Sequence, residues 1–181
     1  MTKKVIFSAA AIFFISGVSL CLRAEEAVVS TQTQAAVDPA AASFAPRAGD
    51  LNLNINYPGA AIRYFVADGK ALELLGQGQD DIFVGGLRYY FYPGSMGKGA
   101  LRPYLAAEAD YLSFRGSYAK GKGWGGGLYA GAEYHLNQTF SVQTDLGAMY
   151  VSVKDKDSSL MESGLEFLLN LGINIYFGGG R

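Results

Sequence analysis

The sequence predicts an all-β chain, an eight-stranded antiparallel up-and-down transmembrane β-barrel, and three observations predict it. Gly164 to Phe177 places Leu165, Phe167, Leu169, Leu171, Ile173, Ile175 and Phe177 on every second residue, with Glu166, Asn170, Gly172, Asn174 and Tyr176 between them. That is the period of a strand. Fourteen residues of it reach roughly 45 Å at ~3.3 Å per residue, more than the last strand of a soluble β-sandwich needs. From Asp50 onward the same alternation recurs, and in each segment the charges keep to one parity. No stretch after the first two dozen residues is apolar throughout, so the body of the chain holds no membrane helix.

The 181 residues, half of them hydrophobic, include 24 Gly, 12 Tyr and 11 Phe. Such a mixture suits membrane strands, where aromatics sit at the interfaces and small residues allow close packing. A net charge of -1 gives no footing for nucleic acid. Lys3 and Lys4 precede an apolar run from Val5 to Leu22, and Ala24 stands before Glu25 and Glu26, so residues 1–24 read as a secretory signal peptide. The run is long for that role, which leaves a retained N-terminal anchor open. Val18-Ser19-Leu20-Cys21 is a faint lipoprotein site with Leu20 where a small residue belongs. Cys21 is the one cysteine, so a chain cleaved at Ala24 has no disulfide. Residues 25–49, rich in Ala, Thr, Gln, Ser and Pro without a period, are expected to form a disordered periplasmic segment. The barrel is expected over 50–181.

Taken in order, Leu51, Leu53, Ile55 and Tyr57 oppose Asn52, Asn54 and Asn56, and Pro58-Gly59 breaks the ladder. Ile62, Tyr64 and Val66 then oppose Arg63. These first two runs could also be one bulged strand over 51–66. Asp68-Gly69 is a hairpin signal, after which Leu72 and Leu74 oppose Glu73 and a polar loop is expected from Gly76 to Asp81. Ile82 to Tyr92 sets Phe83, Leu87, Tyr89 and Phe91 against Arg88, and Pro93 to Ala100 is a glycine-rich turn. In Leu101 to Phe114, Leu105, Ala107, Ala109 and Tyr111 oppose Arg102, Glu108 and Asp110. A polar loop over Arg115 to Gly123 is expected next, then a strand from Trp124 to Leu136 with Glu133 on its polar side. Past the turn at Asn137, Phe140, Val142, Leu146, Ala148 and Tyr150 oppose Gln143 and Asp145, and Lys154 to Ser159 is the last loop.

A membrane barrel requires the charged parity to face inward, because charge facing hydrocarbon costs several kcal/mol. A lipocalin-like carrier would put the apolar parity inside. If the last strand ends in the periplasm, the turns at Asp68, Gly94 to Gly99 and Asn137 are periplasmic, and the short loops at Pro58, Gln77 to Asp81, Arg115 to Gly123 and Lys154 to Ser159 are extracellular.

Residues 62–73 (IRYFVADGKALE), Gly86-Leu87-Arg88-Tyr89-Tyr90 and the terminal strand resemble the OmpA-like family of small eight-stranded outer-membrane barrels over about residues 50 to 177. Asn170, Gly172, Ile175 and Phe177 resemble that family's assembly signal, with Ile175 where an aromatic is more usual. The resemblance implies the outer membrane of a Gram-negative envelope, contact with its lipid, and insertion by the barrel assembly machinery. It implies a role in envelope integrity, surface interaction or narrow porin-like conduction. The family's larger members add a peptidoglycan-binding domain, which this chain does not show.

The candidate site is the set of inward charges, Arg63, Arg88 and Arg102 with Glu73, Glu108, Asp110, Glu133, Asp145 and Glu166. An eight-stranded barrel is just wide enough for side chains to fill it, so these groups are expected to form a structural network. The alternative is a narrow pore, which the acid excess would make cation-preferring. A third reading is a lipid A-modifying enzyme with a His/Ser/acid set. The one histidine, His135, is read as lacking Ser and carboxylate partners. Gly116 to Gly123 approaches a phosphate loop and Gly121-x-Gly123-x-x-Gly126 a dinucleotide spacing, but no helix is expected to follow. Trp124 and the tyrosines near strand ends are expected at the membrane interfaces. Asp155 and Asp157 could touch a cation, a solvated loop being the plainer reading. The expected protein is a monomer with no catalytic role, no cofactor and no metal. Its surface ligand is not legible.

Overall fold

The structure, a computed structural model, describes residues 46–56, 58–79, 81–94, 99–116, 120–156 and 161–177. The expected signal peptide, Cys21 and residues 25–45 of the expected disordered segment lie outside the described residues, as do Tyr57, Asp80 and Asp157. Eight strands follow: β1 (Leu51–Asn56), β2 (Gly59–Ala67), β3 (Lys70–Gln79), β4 (Ile82–Phe91), β5 (Leu101–Arg115), β6 (Lys120–His135), β7 (Phe140–Asp155) and β8 (Met161–Phe177). Each pairs antiparallel with the next, and β1 pairs with β8, which closes the barrel. Among the described residues there is no helix long and apolar enough to cross a membrane.

Residues 51–66 are two strands, β1 and β2, joined in register from Leu51 opposite Tyr64 to Asn56 opposite Gly59. At Asp68-Gly69 the expected hairpin forms, with Gly69 at a positive φ of 70° that a residue without a Cβ adopts freely. Three expected loops are corrected. β3 runs through the glutamines to Gln79, β6 begins at Lys120 rather than Trp124, and β7 continues to Asp155. The reason is cooperative pairing. Polar residues carry little strand preference of their own, but a neighbouring strand extends the ladder through them. Pro103 inside β5 has a similar explanation: β4 takes up β5 only from Leu105, so Pro103 pairs with β6 alone and owes no hydrogen bond to the other side.

Following hydrogen-bonded partners from Asn54 through Ala61, Leu75, Gly86, Asp110, Gly125 and Val151 leads to Gly164, ten residues along β8 from Asn174, the residue that Asn54 itself faces. That stagger tilts the strands by roughly 40° from the barrel axis. The strands also differ in length, from 6 residues in β1 and 9 in β2 to 17 in β8. β1 meets β8 only from Ile173 to Phe177, so from Met161 to Asn170 β8 is paired on its β7 side and rises above the β1–β2 hairpin. One wall is therefore tall and the other low.

Polarity is inverted relative to a water-soluble barrel. The expected parity holds in every strand: Ile62, Leu74, Leu87, Leu128, Leu146, Phe167 and Leu171 lie on the outside, and Phe167 is 75% exposed. Asn52, Asn54, Arg63, Glu73, Glu133, Asp145 and Asn174 are buried inside.

Candidate functional site

Pairing alone assembles the charges. Arg63 on β2 stands opposite Glu73 on β3, Glu73 opposite Arg88 on β4, and Arg88 opposite Glu108 on β5. Four adjacent strands therefore present alternating signs in one row, the arrangement that favours opposite charges across a ladder.

Arg63 is fully buried and uses its whole donor fork. Its Nη2 lies 2.7 Å from Glu73 Oε2, and Nε donates to the same oxygen at 2.9 Å. Nη1 donates to the Tyr92 hydroxyl at 2.8 Å, Nη2 to Gln143 Oε1 at 2.8 Å, and Nη1 reaches Glu133 Oε2 at 3.5 Å. The guanidinium also lies 3.8 Å from the centre of the Tyr90 ring, close enough for a cation–π contact. Gln143 and Glu133 belong to β7 and β6, so these bonds cross the lumen. Arg88 ion-pairs with Glu108, reaches Asp145 Oδ2 on β7 at 3.3 Å, and lies 4.4 Å from the centre of the Tyr129 ring.

Three of these carboxylates are held by further donors. Glu133 accepts from Tyr92 at 2.8 Å, Tyr176 at 2.5 Å, Asn174 at 3.0 Å and Ser141. Asp145 accepts from Tyr104 and Asn170, each at 2.7 Å. The Tyr90 hydroxyl donates to Glu73 at 2.9 Å. A buried carboxylate gains from such charge-assisted bonds about twice what a neutral acceptor would.

Of the nine charges named from the sequence, Arg63, Glu73, Arg88, Glu108, Glu133 and Asp145 join in these ion pairs. Asp110 is buried opposite Gly86, and a Cβ at Gly86 would collide with the Asp110 carboxylate. Arg102 is half-buried and stands opposite Glu133 in the β5–β6 ladder, and Glu166 is half-buried opposite Met149. In the assembly-signal set, Asn170 points inward to Asp145, Gly172 lies against Asn54, and Phe177 is exposed on the outside.

Two expectations fail. Near strand ends, Tyr90, Tyr92 and Tyr104 are not interface anchors; with Tyr129 and Tyr176 they are buried in the lumen, where Tyr90, Tyr92 and Tyr104 pack ring against ring. Their parity carried the signal, since Tyr90 shares a face with Arg88, and Tyr104 with Arg102. Nor does His135 lack the partners of a triad. Its Nε2 is 4.0 Å from Glu133 Oε1, and Ser141 stands opposite it in the β6–β7 ladder. The order is wrong for nucleophile activation, however, because Ser141 donates to Glu133 and not to the imidazole. The glycines of the nucleotide-like spacing, Gly121, Gly123 and Gly126, lie within β6. Among the described residues no group of three or more Asp, Glu, His or Cys is placed to hold a metal.

No protein-family model matches the sequence, and no curated protein matches it either. Among solved structures, the chain is similar to the N-terminal β-barrel domain of Pseudomonas aeruginosa OprF at 18% identity. The match covers 71% of this chain and 94% of that one, with a TM-score of 0.48.

Proposed function

We propose that this chain is a monomeric outer-membrane barrel, inserted by the barrel assembly machinery, whose role is structural or surface-interactive rather than enzymatic. One observation carries the reading: the apolar side chains form the outside of the barrel while ion pairs fill the inside. Water around the first and hydrocarbon around the second would each be costly, whereas lipid outside and a satisfied network inside suit both. Bonds from Arg63 and Arg88 to opposite strands bridge the lumen, which favours a plugged barrel over an open channel.

A narrow cation-preferring pore is the second reading, favoured by the excess of acids among the inward charges named from the sequence, six carboxylates against three arginines. Planar-bilayer recording separates the two. Silence is expected of the plugged barrel, steady cation-selective current supports the pore, and anion preference refutes the pore reading. The membrane assignment itself is tested by fractionation and by gel mobility with and without boiling. Freely soluble material with no heat-dependent shift would refute it.

A further inference from the structure

At the tall end of the barrel, four cations face outward on three neighbouring strands and a fifth, Lys156, directly follows β7. Arg115 ends β5 opposite Lys120 at the start of β6, and Lys122 stands opposite Lys154 of β7. Lys156 joins the same group, its N–H donating to the Lys120 carbonyl at 2.8 Å. All five side chains are exposed, and none belongs to the ion pairs of the described residues. Asp155 and Glu162, at the same height, lie on the inward parity; Asp81 is the nearby acid, its carbonyl bonded to the Arg115 N–H. The cluster measures about 10 Å across three strands and about 7 Å along them.

Like charges directly opposite one another weaken a sheet, yet this ladder sets Arg115 against Lys120 and Lys122 against Lys154. An anion seated between them would reverse that penalty. Its chemistry follows from what lies immediately below. On the same outward face, one pleat from Lys122, is Trp124, its ring 5.8 Å from that of Tyr150 and its strand position opposite Tyr111. Beneath these lie Leu128, Leu165 and Phe167, all more than half exposed. Paired aromatics mark the boundary between headgroup and hydrocarbon, so the cations stand at phosphate height above an acyl-chain surface. The outward faces of β1 to β4 carry no cation at that end among the described residues.

Building on the outer-membrane reading, we propose that Arg115, Lys120, Lys122, Lys154 and Lys156 bind the phosphates of an outer-leaflet glycolipid whose chains lie along β6 to β8. The cluster is a binding surface for a phosphorylated glycolipid, not a site for free phosphate.

Trp124 is the one tryptophan of the chain and reports on the site directly. The full chain in detergent micelles is titrated with a bisphosphorylated diglucosamine glycolipid and with its dephosphorylated counterpart, following Trp124 fluorescence. Saturable change with the first, weakened by added salt, and none with the second is expected. The variant K120Q/K122Q/K154Q/K156Q should bind roughly tenfold more weakly or worse, since each removes a surface cation near the anion, while K70Q at the opposite end should bind as wild type. Equal response to both lipids, or undiminished binding by the fourfold variant, overturns the proposal. Full displacement by millimolar inorganic phosphate overturns the glycolipid assignment. Heat-dependent gel mobility of each sample reports separately whether the barrel reading holds.

Discussion

Replacing Arg63 by Met tests the network at its centre. Methionine keeps much of the apolar volume and removes every donor, so Glu73 and Glu133 lose their buried cation. Glu73 would keep the Tyr90 hydroxyl, and Glu133 would keep Tyr92, Ser141, Asn174 and Tyr176. Removing one partner of a buried ion pair costs about 3–5 kcal/mol. The upper part of that range is expected here, because Arg63 is fully buried and also gives up its bonds to Tyr92 and Gln143 and its contact with the Tyr90 ring. A second change, Glu73→Gln, removes the worse-served of the two stranded charges, so R63M/E73Q should recover at least half of the loss. Arg63→Lys should fall between, since three donors on a point charge cannot reproduce the fork. Equilibrium urea unfolding in phospholipid vesicles, read by Trp124 fluorescence and by unboiled gel mobility, measures all three. If R63M lies within about 1 kcal/mol of wild type, the level of one ordinary hydrogen bond, Arg63 does not hold the network. If the two changes simply add, Arg63 and Glu73 are not coupled.

Four further outcomes follow from particular positions. Leu169→Arg, on the outward face, should cost about 2–4 kcal/mol in vesicles if it lies near mid-bilayer, whereas Glu166→Gln, on the inward face, should cost far less; equal losses would contradict the assigned faces. Gly147→Ala should lower the urea midpoint, because a Cβ there meets the Tyr129 ring and the Leu128 carbonyl, an overpacking worth about 1–3 kcal/mol. Gly69→Ala should cost about 1–3 kcal/mol for a side chain at positive φ, compounded by the Tyr92 carbonyl 2.8 Å from the new Cβ. Phe177→Ala removes an exposed terminal aromatic and should reduce insertion in cells while leaving refolding into detergent intact; equal defects in both would make Phe177 a stability residue rather than an assembly signal.

Parity was the legible part of this fold. It is local, so Leu165 to Phe177 or Arg88 beside Leu87 could be assigned to faces without knowing what lay across the barrel. Strand ends were less legible, because Gln77 to Gln79 and Lys120 to Gly123 extend strands only through partners supplied elsewhere. The inward charges could be named, but not joined. Arg63 meets Gln143 across 80 positions of sequence, and such a meeting depends on the stagger of ten residues around the barrel. His135, Glu133 and Ser141 illustrate the same limit: their proximity needs the β6–β7 register, which the sequence alone leaves open. The lumenal tyrosines are ambiguous for a different reason: tyrosine chemistry favours a membrane interface, whereas the parity they share with arginine places them inside.

The uneven wall bears on the surrounding lipid. At a tilt of roughly 40°, nine residues climb about 20 Å and seventeen about 40 Å, against a nonpolar band about 25 Å tall. In the proposed outer-membrane setting, the leaflet beside β1 and β2 would thin to meet a short sill, while beside β8 it would keep its full depth. Each ångström of mismatch carries a fraction of a kcal/mol, so the deformation is lopsided and gives the molecule a front and a back in the plane of the membrane.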